Sequence, residues 1–274
     1  MMSIRLIAFD LDGTLLGSNG RISQRTRAAL RSAAMQGIHL AAASGRPLGA
    51  LPLDLREIPE IRHVITSNGS SIFTFPEEER IFGRDMKAET VLDALKVAEP
   101  SGFPWEIFIG GTGYGPEAYV RKASDFGVPE RANRYVSRTR VPVADISAFT
   151  REHLQEIEGM NMIVADAAAK ERLIGSLSEI PNLYITDSVS WYIELADGQV
   201  SKAAALATLA DRLGVPMHQT AAFGDSMNDL DLLRGAGLGI AMANARPELI
   251  AAADDHALSN DEDGVAVYIE RHFI

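Results

Sequence analysis

The feature that most constrains this chain is a short apolar run that stops on acid, Leu6-Ile7-Ala8-Phe9 followed by Asp10-Leu11-Asp12-Gly13-Thr14. Consecutive apolar residues closed by a turn signal read as a strand buried on both faces, the kind found in a parallel sheet covered by helices. In such sheets ligands bind in the crevice beyond the carboxyl ends of the strands, so Asp10 and Asp12 fall where chemistry is expected. Residues two apart in an extended chain point the same way, and Gly13 permits the turn. A solvated turn uses the same residues. This stretch by itself leaves both readings open.

The pattern recurs along the chain. Ser23 reads as the N-cap of a helix whose small apolar face is Ala28, Ala29, Leu30, Ala33 and Ala34, and Gly37 ends it. Residues 38–43 form a second buried strand that stops on Ser44-Gly45-Arg46. The strand-helix-strand order predicts parallel pairing with a right-handed crossover, which brings Ser44 beside Asp10. A hydroxyl followed by bare backbone N–H groups at the start of a helix suits an anion, although an N-cap alone needs no ligand. Residues 64–66 are a third strand, Asn68-Gly69 a turn, and residues 71–75 its hairpin partner.

Near the other end, a helix opens at Ser201-Lys202, and residues 220–223 are a short apolar strand. Like the first strand it runs into acids, Gly224-Asp225-Ser226-Met227-Asn228-Asp229. A further strand at 238–242 and helices around it complete an α/β pattern. The middle of the chain differs, with helices at 89–98 and 167–177 and strands at 105–109, 114–120, 160–164, 183–186 and 191–195. It reads as an inserted α+β domain over 85–189, flanked by a Rossmann-like core of 1–84 and 190–274 with helices on both faces of its sheet. The stretch 122–140, with Arg131, Arg134, Arg138 and Arg140, reads as a mobile or substrate-facing segment, with a solvated basic loop the preferred reading.

Composition enters as exclusions. Cysteine is absent, which removes disulfides, thiolate catalysis and Cys-based zinc sites. Lys and Arg number 26 against 37 Asp and Glu, a net charge of −11, so the overall field repels nucleic acid and anionic membranes. No apolar run approaches a membrane span and no signal-peptide pattern precedes the first strand, so a cytoplasmic location is expected. Carboxylates converging in one crevice raise one another's pKa unless a cation sits among them. With oxygen ligands only, Mg²⁺ suits such a cluster better than zinc or copper.

Taken in order, Asp10-x-Asp12-Gly13-Thr14, Ser44-Gly45-Arg46, Lys202 and Gly224-Asp225-x-x-Asn228-Asp229 resemble the four motifs of the haloacid dehalogenase-like phosphohydrolases. The long insertion, with Asn68-Gly69, Ala243-Asn244-Ala245 and Asp263-Gly264-Val265, is similar to the Cof-type, subclass IIB group with an α+β cap. Two positions depart from that pattern: Ala203 follows Lys202 where relatives commonly have glycine, and Leu249-Ile250 lacks a lysine often found there.

The resemblance implies a Mg²⁺-dependent phosphatase of small phosphomonoesters, such as sugar phosphates or phosphorylated cofactors. It implies Asp10 as nucleophile forming an aspartyl-phosphate, Asp12 as general acid and then base, and Asp10, Asp12, Asp225 and Asp229 as the metal set. It also implies that Ser44, Gly45, Arg46, Lys202 and Asn228 hold the phosphoryl oxygens. The expected partner is a small-molecule substrate, with no nucleic acid or membrane, for a monomer or homodimer. The rival readings are a sugar phosphomutase on the same fold and a catalytically idle protein that binds phosphate-bearing ligands.

Overall fold

A computed structural model describes residues 3–274. Its strands are β1 Leu6–Phe9, β2 His39–Ala43, β3 Ile61–Thr66, β4 Ser71–Thr74, β5 Arg80–Gly83, β6 Trp105–Ile109, β7 Thr112–Pro116, β8 Arg140–Val143, β9 Ile157–Ile163, β10 Leu183–Thr186, β11 Tyr192–Asp197, β12 Thr220–Gly224, β13 Leu238–Ala241 and β14 Asp255–His256. Its helices are α1 Gln24–Met35, α2 Leu53–Arg56, α3 Ala88–Ser101, α4 Glu117–Arg121, α5 Glu130–Thr139, α6 Ile146–Glu152, α7 Ala167–Ser178, α8 Lys202–Arg212, α9 Leu230–Gly235, α10 Pro247–Ala252 and α11 Gly264–His272. The chain divides into two compact units. One holds the residues up to Gly45, Leu51–Phe82 and Ser201–Ile274; the other, inserted, holds Arg46–Ala50 and Gly83–Val200.

The first unit is an eight-stranded sheet in the order β14-β13-β12-β1-β2-β3-β4-β5. Its centre is parallel: Phe9 lies opposite Phe223 of β12 on one side and Ala42 of β2 on the other. Strand alternation sends Leu6 and Ala8 into a core with Leu206 and Leu209 of α8 and Leu232 of α9. Phe9 stacks at 5.7 Å on Phe223, which meets Tyr268 of α11 edge-on at 5.4 Å. Helices therefore cover the sheet on both faces, and every residue of β1 is buried. Ser23 caps α1 as its sequence suggests, its hydroxyl accepting from the Thr26 N–H.

The inserted unit is a six-stranded sheet, β10-β11-β9-β6-β7-β8, antiparallel except where β8 runs parallel to β7. Helices α3, α6 and α7 bury Val91, Leu95, Ile146, Ala169 and Leu177 with Ile107, Met160, Met162 and Ile193 from the strands. Its boundaries differ from the sequence-based ones. Residues 190–200 join it because β11 pairs with β9, Tyr192 opposite Ile163. Residues 46–50 join it although the first unit surrounds them in sequence. Strand pairing is non-local, and no local composition shift marks these points.

Three local expectations change as well. Residues 114–120 divide between the end of β7 and α4. The basic stretch holds helix α5, whose Val136 packs with Tyr119, Ala123 and Val128; Pro129 before it and Glu130 in its first turn are the start signals that the arginines masked. Arg140 is not solvated. Its guanidinium is buried and grips Glu106 with two bonds, Nε to Oε2 at 2.6 Å and Nη2 to Oε1 at 2.8 Å.

Candidate active site

The site assembles at the carboxyl ends of β1, β2 and β12, all in the first unit. Asp10 follows β1 directly, is 5% exposed, and its N–H donates to the Phe223 carbonyl at 3.0 Å, extending the ladder by one residue. Gly13 turns the chain with φ at +83°, and a Cβ there would lie 2.5 Å from Asp225 Oδ2. Only glycine meets both conditions. The next residue, Thr14, donates its hydroxyl to Asp225 Oδ1 at 3.0 Å, and Asn244 donates to the Gly13 carbonyl at 2.8 Å. The tip of the first strand is thus tied to the loops after β12 and β13.

Lys202 opens α8, where a cation opposes the helix dipole. It is fully buried, and its Nζ donates to Asp10 Oδ1 at 2.6 Å and to Asp229 Oδ1 at 2.7 Å. Burial alone would pull its pKa down; the two carboxylates outweigh this and hold the ammonium above the ordinary lysine value. Ser201 caps the helix by accepting from the Ala204 N–H. Gly69, at φ +106°, lets its backbone pass close to Ser201, since a Cβ there would fall 2.3 Å from the Ser201 carbonyl oxygen.

Asp229 is used on both oxygens. Oδ1 takes Lys202, and Oδ2 accepts the N–H groups of Asp225 at 3.0 Å and Ser226 at 3.1 Å. It thereby fixes the turn after β12, with Gly224 required because a Cβ would lie 2.4 Å from the Asp229 Cβ. Asp10, Asp225 and Asp229 each present an oxygen within 4.8 Å of the others, a group that can hold a metal ion. Burial first, and then the charge of Asp229, pushes the Asp10 carboxyl well above the usual range, while Lys202 acts against them. Asp225 is pushed up to about 7, again by burial first and Asp229 second.

The other residues expected at the site divide into two sets. Ser44 is 2% exposed, its N–H donating to the Ile65 carbonyl at 2.9 Å and its carbonyl accepting from the Asn68 N–H at 3.1 Å. Asn228 is buried and donates to Asn68 Oδ1 at 3.0 Å, while its own Oδ1 accepts nothing among the described residues. Asp12 is exposed and lies outside the three-acid group. Arg46 belongs with the inserted unit, its guanidinium 4.7 Å from the ring centre of Tyr135. No α-helix begins at Ser44; only the one-turn segment Leu48–Ala50 and the four-residue α2 follow, so the helix-dipole part of the anion argument falls away. Sequence reasoning assigned no task to Thr14, Ser226 or Asn244. Their signal was position alone: Thr14 and Ser226 stand one residue past Gly13 and Asp225, and Asn244 lies within Ala243-Asn244-Ala245.

The comparisons with known proteins agree with this geometry. The family model of the haloacid dehalogenase-like hydrolases matches residues 7–269. The chain is 30% identical to the phosphatase YwpJ of Bacillus subtilis (strain 168) over 99% of this chain and 100% of that protein. Among solved structures, a haloacid dehalogenase-like hydrolase from B. subtilis superposes with a TM-score of 0.84 at 28% identity, covering 99% of this chain and 100% of that one. The subclass IIB sugar phosphatase BT4131 gives 0.81 at 25% identity, covering 97% and 98%. A match over this length, with the motif residues meeting at one end of one sheet, has a single reading: the chain belongs to the haloacid dehalogenase-like hydrolases and is a phosphoric monoester hydrolase of that family.

Proposed function

We propose that the chain hydrolyses small phosphomonoesters, sugar phosphates or phosphorylated cofactors, in a Mg²⁺-dependent reaction that passes the phosphoryl group through Asp10. The observation that carries this reading is the buried set of Asp10, Asp225, Asp229 and Lys202. One lysine faces two carboxylates at hydrogen-bond distance while a third carboxylate stands within ligand range. Burial and mutual repulsion raise Asp10 and Asp225, so a nucleophilic, ionised Asp10 calls for further positive charge. The donors are oxygens only, which fits Mg²⁺.

Asp10 and Asp225, with the Asp12 backbone carbonyl, would hold the ion. When bound, it supplies charge against the phosphoryl oxygens. Asp229, with both oxygens engaged, supports the set by orienting the Asp225 backbone and Lys202.

In the first step an Asp10 carboxylate oxygen attacks phosphorus, the bond from phosphorus to the ester oxygen breaks, and protonated Asp12 gives its proton to the departing oxygen. In the second, the Asp12 carboxylate takes a proton from water, whose oxygen attacks phosphorus and breaks the Asp10–phosphorus bond, releasing inorganic phosphate. Asp12 suits this exchange because it is exposed and two residues from Asp10 in the chain, whereas Asp10 is buried and held by Lys202. Ser44, Lys202 and Asn228 are assigned to the phosphoryl oxygens, and the unsatisfied, buried Oδ1 of Asn228 supports a polar group at that point.

The test is phosphate release from a panel of phosphomonoesters, including p-nitrophenyl phosphate, with Mg²⁺ or EDTA. Turnover is expected only with Mg²⁺, and Asp10→Asn is expected to lower it by at least about 10³-fold, as removal of a covalent nucleophile does. A folded wild type that frees no phosphate from any ester overturns the proposal.

A further inference from the structure

The turn Ser67–Gly69 joins β3 to its antiparallel partner β4, with Thr66 opposite Ser71, and all of it lies within the first unit. Ser67 has a φ of 49° and Asn68 of 56°, and Gly69 follows at 106°. Two consecutive residues with side chains in the left-handed region are disfavoured, and such backbone persists only where its surroundings fix it. An Asn-Gly pair in a hairpin accounts for the backbone of this turn. It does not account for the place of the asparagine side chain. At a solvated turn that side chain would reach water, whereas Asn68 is 6% exposed.

Three parts of the site meet at this turn. The Asn68 N–H donates to the Ser44 carbonyl at 3.1 Å. Gly69 packs on the start of α8, where a Cβ would lie 3.2 Å from the Lys202 backbone nitrogen. The Asn68 Oδ1 accepts from Asn228 Nδ2 at 3.0 Å. This last bond is the one side-chain hydrogen bond that Asn228 makes among the described residues, since its Oδ1 accepts nothing there. A primary amide carries two N–H donors on one end and an acceptor on the other, and the two ends have nearly the same shape. Half a turn about the last torsion of Asn228 would set its oxygen against the Asn68 oxygen, a repulsive contact. The bond to Asn68 therefore selects one orientation of a buried amide, uses one of its two N–H groups and leaves the second for another acceptor.

We infer that Asn68 is a positioning residue: its side-chain oxygen fixes which end of the Asn228 amide is nitrogen, and so keeps an N–H of Asn228 available to the phosphoryl group. The inference rests on the assignment of Asn228 to the phosphoryl oxygens, and it gives the Asn-Gly turn a task beyond joining two strands. An amide free to reverse would present its oxygen to a phosphoryl oxygen part of the time, and a donor that is not held in place stabilises transition-state charge less well.

The variants Asn68→Gly, Asn68→Ala, Asn228→Ala and the double Asn68→Gly with Asn228→Ala test it. The readouts are kcat and KM for phosphate release from p-nitrophenyl phosphate with Mg²⁺, melting temperature, and hydrogen exchange of the Asn228 side-chain amide by NMR, assigned through its loss in Asn228→Ala. Asn68→Gly keeps the left-handed turn and deletes the side chain. In it the Asn228 amide is expected to exchange faster and kcat to fall at least about tenfold. Asn228→Ala is expected to lose about 10²-fold in kcat, and the double variant to match it within about twofold, because a residue that acts through Asn228 has nothing left to act on. Asn68→Ala should lose kcat as Asn68→Gly does and melt lower, since alanine is strained at this φ; it takes the place of Asn68→Gly in the cycle if that variant does not fold. Wild-type kcat in Asn68→Gly reduces the turn to its backbone and overturns the role. Unchanged amide exchange overturns the hold on Asn228, and a double variant in which the two single losses multiply overturns action through it. Wild-type kcat in Asn228→Ala removes the assignment of Asn228, and the positioning role with it, while the phosphatase reading stands. A folded wild type that frees no phosphate sinks both.

Discussion

Lys202 shows how a single residue can be locally wrong and tertiarily necessary. A cation at a helix N-terminus is mildly unfavourable, and a buried ammonium is costly unless paired. Here it is fully buried between Asp10 and Asp229, whose side chains are 7% and 0% exposed. Removing one member of such a set leaves buried charge without compensation, so Lys202→Met is expected to lower stability by about 3–5 kcal/mol. Urea unfolding would measure this, and a loss under about 1 kcal/mol would contradict the geometry. The same variant is expected to release essentially no phosphate, because Asp10 would lose its one ammonium partner and hold its proton more tightly.

At the scale of elements, the inserted unit carries its own polar core. The row Glu106, Asn161 and Glu194 crosses β6, β9 and β11 in register, one residue from each strand on one face of the sheet. Arg140, the first residue of β8, closes on this row through Glu106. Arg140→Met is expected to destabilise the protein by about 3–5 kcal/mol, since the fully buried Glu106 loses its guanidinium partner, whereas Glu106→Leu with Arg140→Met should recover most of that loss. Thermal melts of the single and double variants decide it. If the double variant is as damaged as the single one, the pair contributes through packing or through Asn161 rather than through charge compensation.

The whole molecule should show the strain of its acidic site in its pH dependence. Asp225 titrates at about 7 when folded, against about 3.9 in an unfolded chain. The folded state thus holds this proton more tightly, so stability without metal is expected to fall as pH rises from about 4 to about 7 and to level off above that. A metal ion binds the deprotonated form, so the gain in melting temperature from Mg²⁺ over EDTA should grow from pH 5.5 to pH 8. Asp225→Asn should flatten both trends. A Mg²⁺ gain independent of pH would count against Asp225 as a ligand. Among the described residues no helix is long and apolar enough to cross a membrane.

Much of this was readable without coordinates where a signal is local. An apolar run that stops on acid marks both the strand and its functional end, and this placed Asp10, Ser44 and Asp225 at the tips of three strands before any pairing was known. Ser23 and Ser201 likewise announced their helices, because a cap is a contact over three residues. Assignments that depended on distant partners were not readable. Arg140 reads as solvated until Glu106 stands beside it, and nothing near Arg46 in the chain announces that Tyr135 lies under its guanidinium. Residues 190–200 look like the start of a returning core until β9 pairs with β11. The sequence by itself determined which residue types stand at the ends of which strands, since periodicity and turn chemistry act between neighbours in the chain. The tertiary structure alone decided which charges are buried together and which unit holds each crossing segment, since burial, ion pairing and strand register act between residues far apart in it.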